Sequence, residues 1–186
     1  VSTGTVSPLG ASFYSPRGIV IDTSGILFVG DTGNHVIRKI VISTGVVTTI
    51  AGSGQIGFAD GIGGAASFRD PTKLTIDTSG NLFVTDCNNN RIRKIVISTG
   101  AVTTIAGSGN AGSTDGTGTA ASLNTPFDID IDENGILYVA ELYGHRIRRI
   151  VISTGVVTTL AGGNGTTHGV GGGRWLDGTG TGAAFN

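Results

Sequence analysis

Three sets of side chains in this sequence have the type and spacing to do chemistry. His35 and His145 occupy matching places in two turns, and imidazole nitrogens bind zinc at ~2.1 Å when three or four donors converge. Asp128, Asp130 and Asp132 alternate within "DIDIDENG", which on an extended chain puts three carboxylates on one face. Clustered carboxylates are what calcium takes. Arg38, Arg93 and Arg148 each follow an acid (Asp31, Asp86, Glu141) by 7 residues. With Arg91 and Arg146 they could form a basic stripe for RNA.

Each set falls short of its chemistry. The place between the two histidines is taken by Asn90, and His168 lies in a different loop. Equivalent points on non-adjacent units stand too far apart to share an ion, so no metal site is expected. The acidic run would need glycine where Glu133 stands and glutamate where Val139 stands to act as a calcium loop. An ion pair between Asp128 and Lys73, its counterpart one unit earlier, is the better expectation. The repeated arginine–acid set reads as a structural ring between units. A net charge of −1, from 12 Lys and Arg against 13 Asp and Glu, is no electrostatic footprint for nucleic acid. Only Tyr143 lies near the arginines to stack a base. No catalytic residue, metal or cofactor is therefore expected.

The elements that would carry these side chains follow from an internal repeat. Pro16, Pro71 and Pro126 are 55 residues apart, as are Asp22, Asp77 and Asp132, and Gly45, Gly100 and Gly155. "IRKIVISTGVVTTIAGSG" at 37–54 returns as "IRKIVISTGAVTTIAGSG" at 92–109 and as "IRRIVISTGVVTTLAGG" at 147–163. Within one copy, "RGIVID", "ILFVGD", "VIRKIVI" and "VVTTIAG" are short β-branched runs separated by "TSG", "TGNH" and "STG" turns. That spacing predicts four antiparallel strands per copy. The runs are apolar nearly throughout, so both faces of each sheet need cover, which identical neighbours stacked around an axis supply. The 33 glycines suit the many turns. One cysteine, Cys87, permits no internal disulfide, and no run approaches the ~20 apolar residues of a membrane span.

The three copies "PRGIVIDTSGILFVGDTGNHVIRKI", "PTKLTIDTSGNLFVTDCNNNRIRKI" and "PFDIDIDENGILYVAELYGHRIRRI", with the tail "VTTIAGSG…DG…AASF", resemble the NHL repeat from Ala11 to Asn186. The resemblance implies an all-β fold: an NHL-type β-propeller of three four-stranded antiparallel blades, half of a six-bladed ring. Residues 1–10 read as a strand completing another blade. Blade 1 spans 11–65, blade 2 spans 66–120, blade 3 with a long linker insert spans 121–183, and 184–186 open a further blade. Members of the family include protein-binding scaffolds, RNA-binding domains, extracellular adhesion modules and a peptide-amidating lyase, whose histidine set is not recognisable here. Half a ring exposes its end blades, which implies further blades, a second copy or a filament.

The positions that vary between copies are the candidate binding face. They are Asn34 and His35, Asn89, Asn90 and Arg91, and Tyr143, His145 and Arg146, all at the turns between second and third strands. Arg174 and Trp175 join them from the third linker, which is longer than the others by seven residues, because Arg and Trp are favoured anchors of protein contacts. Turn chemistry alone also accounts for the Asn and Gly positions. Asn164 begins the sequon "NGT". Together these features predict a non-enzymatic scaffold whose partner is protein, through self-association or further blades. A propeller-type lyase or hydrolase and an RNA-binding module are the competing readings. Low charge and the sequon point outside the cell; the lone cysteine points to the cytoplasm as the alternative.

Overall fold

The computed structural model describes residues 12–163 and 177–185. The first copy forms a meander of β1 (Pro16–Ile21), β2 (Ile26–Asp31), β3 (Val36–Val41) and β4 (Val46–Ala51), paired in that order. The second forms β6 (Pro71–Ile76), β7 (Asn81–Asp86), β8 (Arg91–Val96) and β9 (Ala101–Ala106). The third forms β11 (Pro126–Ile131), β12 (Ile136–Glu141), β13 (Arg146–Val151) and β14 (Val156–Gly162). Every pairing within the blades is antiparallel. Each tight turn after a first strand is built by an aspartate: Asp22, Asp77 and Asp132 accept the amides two and four residues ahead. Asp132 is thereby used in its own turn, while Asp128 and Asp130 are exposed and accept the amides of Ile129 and Ile131.

The first strands β1, β6 and β11 lie side by side, as the inner strands of radially arranged blades. They approach closely. A methyl group on Gly18 would stand 2.4 Å from the Thr72 carbonyl oxygen, so glycine is required there. Thr72 Oγ1 in turn donates to the Phe127 carbonyl, 2.9 Å away, tying the second inner strand to the third.

The blades pack face to face through two clusters that repeat position for position at the 55-residue period. Phe28, Ile37 and Ala51 of blade 1 meet Leu74, Leu82, Val84, Ile95 and Val102 of blade 2. Phe83, Ile92 and Ala106 of blade 2 meet Ile129, Leu137, Val139, Ile150 and Val157 of blade 3. Linker residues close each cluster: Ala66 and Phe68 the first, Ala121 and Leu123 the second. Each blade thus has a trailing face and a leading face of fixed composition.

The linkers do more than connect. β5 (Gly61–Ile62) leaves blade 1 and pairs with β9, the outer strand of blade 2; β10 (Gly116–Thr117) leaves blade 2 and pairs with β14. Blades 2 and 3 are therefore five-stranded, which the four-strand reading of each copy does not anticipate. A wholly buried arginine fastens each strap. Arg93 donates to Ala59 O (2.8 Å), Asp60 Oδ1 (2.7 Å), Ser67 O (3.0 Å) and Asp86 Oδ2 (2.8 Å). Arg148 makes the same set with Thr114 O, Asp115, Ser122 O and Glu141. The arginine–acid pairs are structural: Arg93 and Arg148 each unite one blade with the strap arriving from the blade before, while Arg38 bonds Asp31 and Thr49 within its own blade.

Two outcomes follow. Phe83→Ala, in a fully buried site, is expected to lower the unfolding free energy by about 3–5 kcal/mol. Tyr138→Ala, at the equivalent but half-buried place on blade 3, is expected to cost less; denaturant titration of both variants checks this. Asp60 provides the second. Burial pushes its carboxyl up, but hydrogen bonds from the Thr104 amide and Arg93 outweigh this and hold it below the ordinary value of 3.8. A lowered folded value means that the stabilisation is present above 3.8 and lost as pH falls through the lowered value. Asp60→Asn should therefore melt at lower temperature than the native chain at pH 7, with the gap narrowing as the pH is taken below about 4.

Candidate functional site

Two local devices, repeated in each blade, gather side chains at one end of the inner strands. The residue before each inner-strand proline is left-handed (Ser15, Asp70 and Thr125, φ 50, 55 and 56). A bulge follows directly, with register shifting between Pro16 and Gly18, Pro71 and Leu74, and Pro126 and Asp128. Bulges re-aim side chains out of a ladder, and here they turn Arg17 and Phe127 towards each other, the guanidinium 5.7 Å from the ring centroid. The turns between second and third strands come to the same end. In the first two blades these are 3-10 turns closed by His35 and Asn90, with φ 56 and 52; His145 has φ 49 in the third.

Between them lies a groove of about 370 Å³. Its walls include Tyr14, Arg17, Asp70, Asn88, Phe127 and Tyr143. Tyr14 and Tyr143 are 65% and 64% exposed, and Asn88 donates a hydrogen bond to Asp70. Cys87 also borders the groove, but burial, then the charge of Asp70, pushes its thiol up to about 11. It is therefore a neutral thiol and a poor nucleophile at physiological pH.

Of the described residues proposed for the binding face, only Tyr143 stands on this groove. His35 Nδ1 accepts the Asp70 amide of the next blade (3.2 Å), and Asn90 Oδ1 accepts the Thr125 amide (2.8 Å). Both are clasps between blades. Asn34 and Asn89 donate to the buried carboxylates of Asp31 and Asp86, each at 2.9 Å. Arg91 donates to Asn89 O and Ser108 O and lies 4.5 Å from the Phe58 centroid. Arg146 donates to Ser113 Oγ and Gly144 O. Asn164, Arg174 and Trp175 fall outside the described residues. Among the described residues, no group of three or more His, Cys, Asp or Glu side chains is placed to hold a metal ion.

Blade 3 departs from the pattern in a way that the packing explains. Asp31 and Asp86 each have an asparagine three residues on; Glu141 has Gly144 instead. A methyl group on Gly144 would stand 2.3 Å from Glu141 Oε2. The extra methylene of glutamate thus carries its carboxylate into the space an asparagine would need. The exchange leaves Oε2 buried without a partner, and burial pushes the Glu141 carboxyl up while Arg148 pulls it back. Gly144→Asn alone should destabilise by about 1–3 kcal/mol. Adding Glu141→Asp to it should restore stability, with a coupling of about 0.5–3 kcal/mol in a double-mutant cycle measured by urea unfolding. Additive losses would contradict the shared-space account.

The NHL repeat model matches residues 13–40 and 68–95, the inner-strand approach and first three strands of blades 1 and 2. NHL repeat-containing protein 2 of Bos taurus is 31% identical over 166 residues, 82% of this chain and 23% of that protein. A probable peptidyl-alpha-hydroxyglycine alpha-amidating lyase of Caenorhabditis elegans is 33% identical over 79 residues, 41% of this chain and 21% of that protein. A solved protein of unknown function from Bacteroides thetaiotaomicron superposes with a TM-score of 0.68 at 30% identity, over 76% of this chain and 37% of its own. The chain thus spans under a quarter of the curated relatives it matches. With meanders repeating at 55 residues, stacked face to face and matched by that model in two of them, the chain belongs to the NHL-repeat β-propeller family.

Proposed function

We propose that this propeller segment is a non-enzymatic scaffold that binds protein through the groove end of its blades. The observation that carries the reading is the pairing of exposed apolar and aromatic groups with spent polar ones. Tyr14, Leu142 and Tyr143 stand exposed around the groove. The polar side chains of the surrounding turns (Asn34, His35, Asn89, Asn90) are held in bonds that maintain the blades. Aromatic groups of this kind supply contact area at small entropic cost, as protein-binding surfaces do. The scaffold acts within a larger propeller, an oligomer or an extracellular filament. Its low charge and the Asn164 sequon support a place outside the cell.

The likeness to the amidating lyase favours a second reading, a metal-dependent lyase of propeller type. Against it, His35 uses Nδ1 on the neighbouring blade. The two readings separate in one set of measurements on the purified chain. A photo-crosslinking residue at Tyr143 is expected to trap discrete protein adducts, and one at the outer-strand residue Val46 is not. Elemental analysis should find no stoichiometric transition metal, and affinity for a homopolymeric RNA should not fall steeply with salt. Stoichiometric metal would support the lyase and sink the scaffold reading; steep salt-dependent RNA affinity would sink it in favour of an RNA-binding module.

A further inference from the structure

The two internal interfaces define what a trailing face and a leading face must carry, and the chain presents one of each without a neighbouring blade among the described residues. The leading face of blade 1 repeats that of blades 2 and 3. Ile19, Leu27, Val29, Ile40 and Val47 stand where Leu74, Leu82, Val84, Ile95 and Val102 stand in the first cluster. Ile21 and Ile42 stand where Ile76 and Ile97 pack against that cluster. Val29 and Ile40 are already buried in the single chain, but Ile19, Ile21 and Ile42 are 62%, 54% and 51% exposed. The trailing face of blade 3 likewise carries Tyr138, Ile147 and Ala161, at the places of Phe28, Ile37 and Ala51. Leu160, at the place of Ile50, is 45% exposed, and Phe185 is 42% exposed.

We infer that a second copy of this chain docks head to tail on these faces, the trailing face of blade 3 of one copy against the leading face of blade 1 of the other. This rests on the protein-binding reading and names a partner for it. The complementarity follows from the repeat, because residue sets of the same kind, with phenylalanine at the place of Tyr138 and Leu74 or Ile129 at the place of Ile19, already meet twice inside each chain. The shape also fits. An apolar hollow of about 320 Å³ on blade 1, bordered by Phe13, Ile19, Val29 and Ile40, lies over residues whose blade 2 counterparts pack with Phe28 and Ile37. Tyr138 and Ile147 of the second copy are the equivalent knobs. Ser15 holds the same left-handed backbone as Asp70 and Thr125, the two residues whose amides clasp the preceding blade. Such an interface is heterologous: it closes a ring when the rotation permits and extends a filament when it does not.

The experiment is the solution mass of the 1–186 chain by light scattering across a dilution series, repeated with Ile19→Asp and Leu160→Asp. Both sites are exposed in the single chain, so thermal melting should show each variant folded. The native chain is expected to form species of twice the 18.7 kDa monomer or larger. Each variant alone should have its association weakened at least tenfold. A mixture of the two should recover a 1:1 pair, because one intact trailing face then meets one intact leading face. A native chain that is monomeric at every concentration overturns the proposal, and so does self-association that survives in either variant alone. If self-association fails while a crosslinker at Tyr143 still traps protein, the self-docking falls and the scaffold reading stands.

Discussion

A guanidinium fully withdrawn from water is expensive unless every side of it finds an acceptor. Arg93 and Arg148 meet that requirement with two carboxylates and two carbonyls each, leaving only Nε without a partner. The acceptors come from three places: the end of the second strand, the strap leaving the preceding blade, and the linker residue that follows it. The arginine therefore cannot be buried until the strap is in place, and the strap cannot lie down without the arginine to receive its carbonyls. The outer edge of the sheet, the linker path and the lid of each apolar cluster depend on the same charge. Phe68, which closes the first cluster, lies 5.1 Å below the Arg93 guanidinium.

Much of this architecture is legible in the sequence, because a period of 55 residues multiplies each weak signal by three. The strand runs and their turns fall where β-branched stretches and Asp–x–x–Gly punctuation put them. The straps were not legible. β5 and β10 are two residues each, beginning with glycine, and carry no strand signal of their own; their order comes from the neighbouring blade. The arginine–acid spacing could be read as structural, but not which blade it serves, since the second acid (Asp60, Asp115) is distant in sequence and lies in a linker.

The groove illustrates a different limit. Its residues Tyr14, Arg17, Asn88 and Phe127 sit at places where the copies disagree, as the candidate turn residues do, but Tyr14, Arg17 and Phe127 lie on the approach to the inner strands rather than in the turns between second and third strands. A bulge directly after the proline interrupts the side-chain alternation of an ideal strand at Arg17 and Phe127, so the strand period alone does not place them. Asn34, His35, Asn89 and Asn90 are conspicuous for the reason that they are structural: His35 and Asn90 close left-handed turn ends and bond the next blade, and Asn34 and Asn89, inside the 3-10 turns, bond the buried carboxylates. The exchange of Asp and Asn for Glu141 and Gly144 was the one available clue that this asparagine serves the core.

Because β5 and β10 belong covalently to one blade and by hydrogen bonding to the next, the unit that repeats along the chain is not the unit that holds together in space. A 55-residue frame cut between strap and inner strand parts β5 from β9 or β10 from β14, whereas a frame cut in the linker ahead of the strap keeps each pair together. Copies can thus be gained or lost in register, yet a copy isolated in the first frame is not a smaller version of the whole. The stitching makes neighbouring blades open together, so their melting should be a property of pairs.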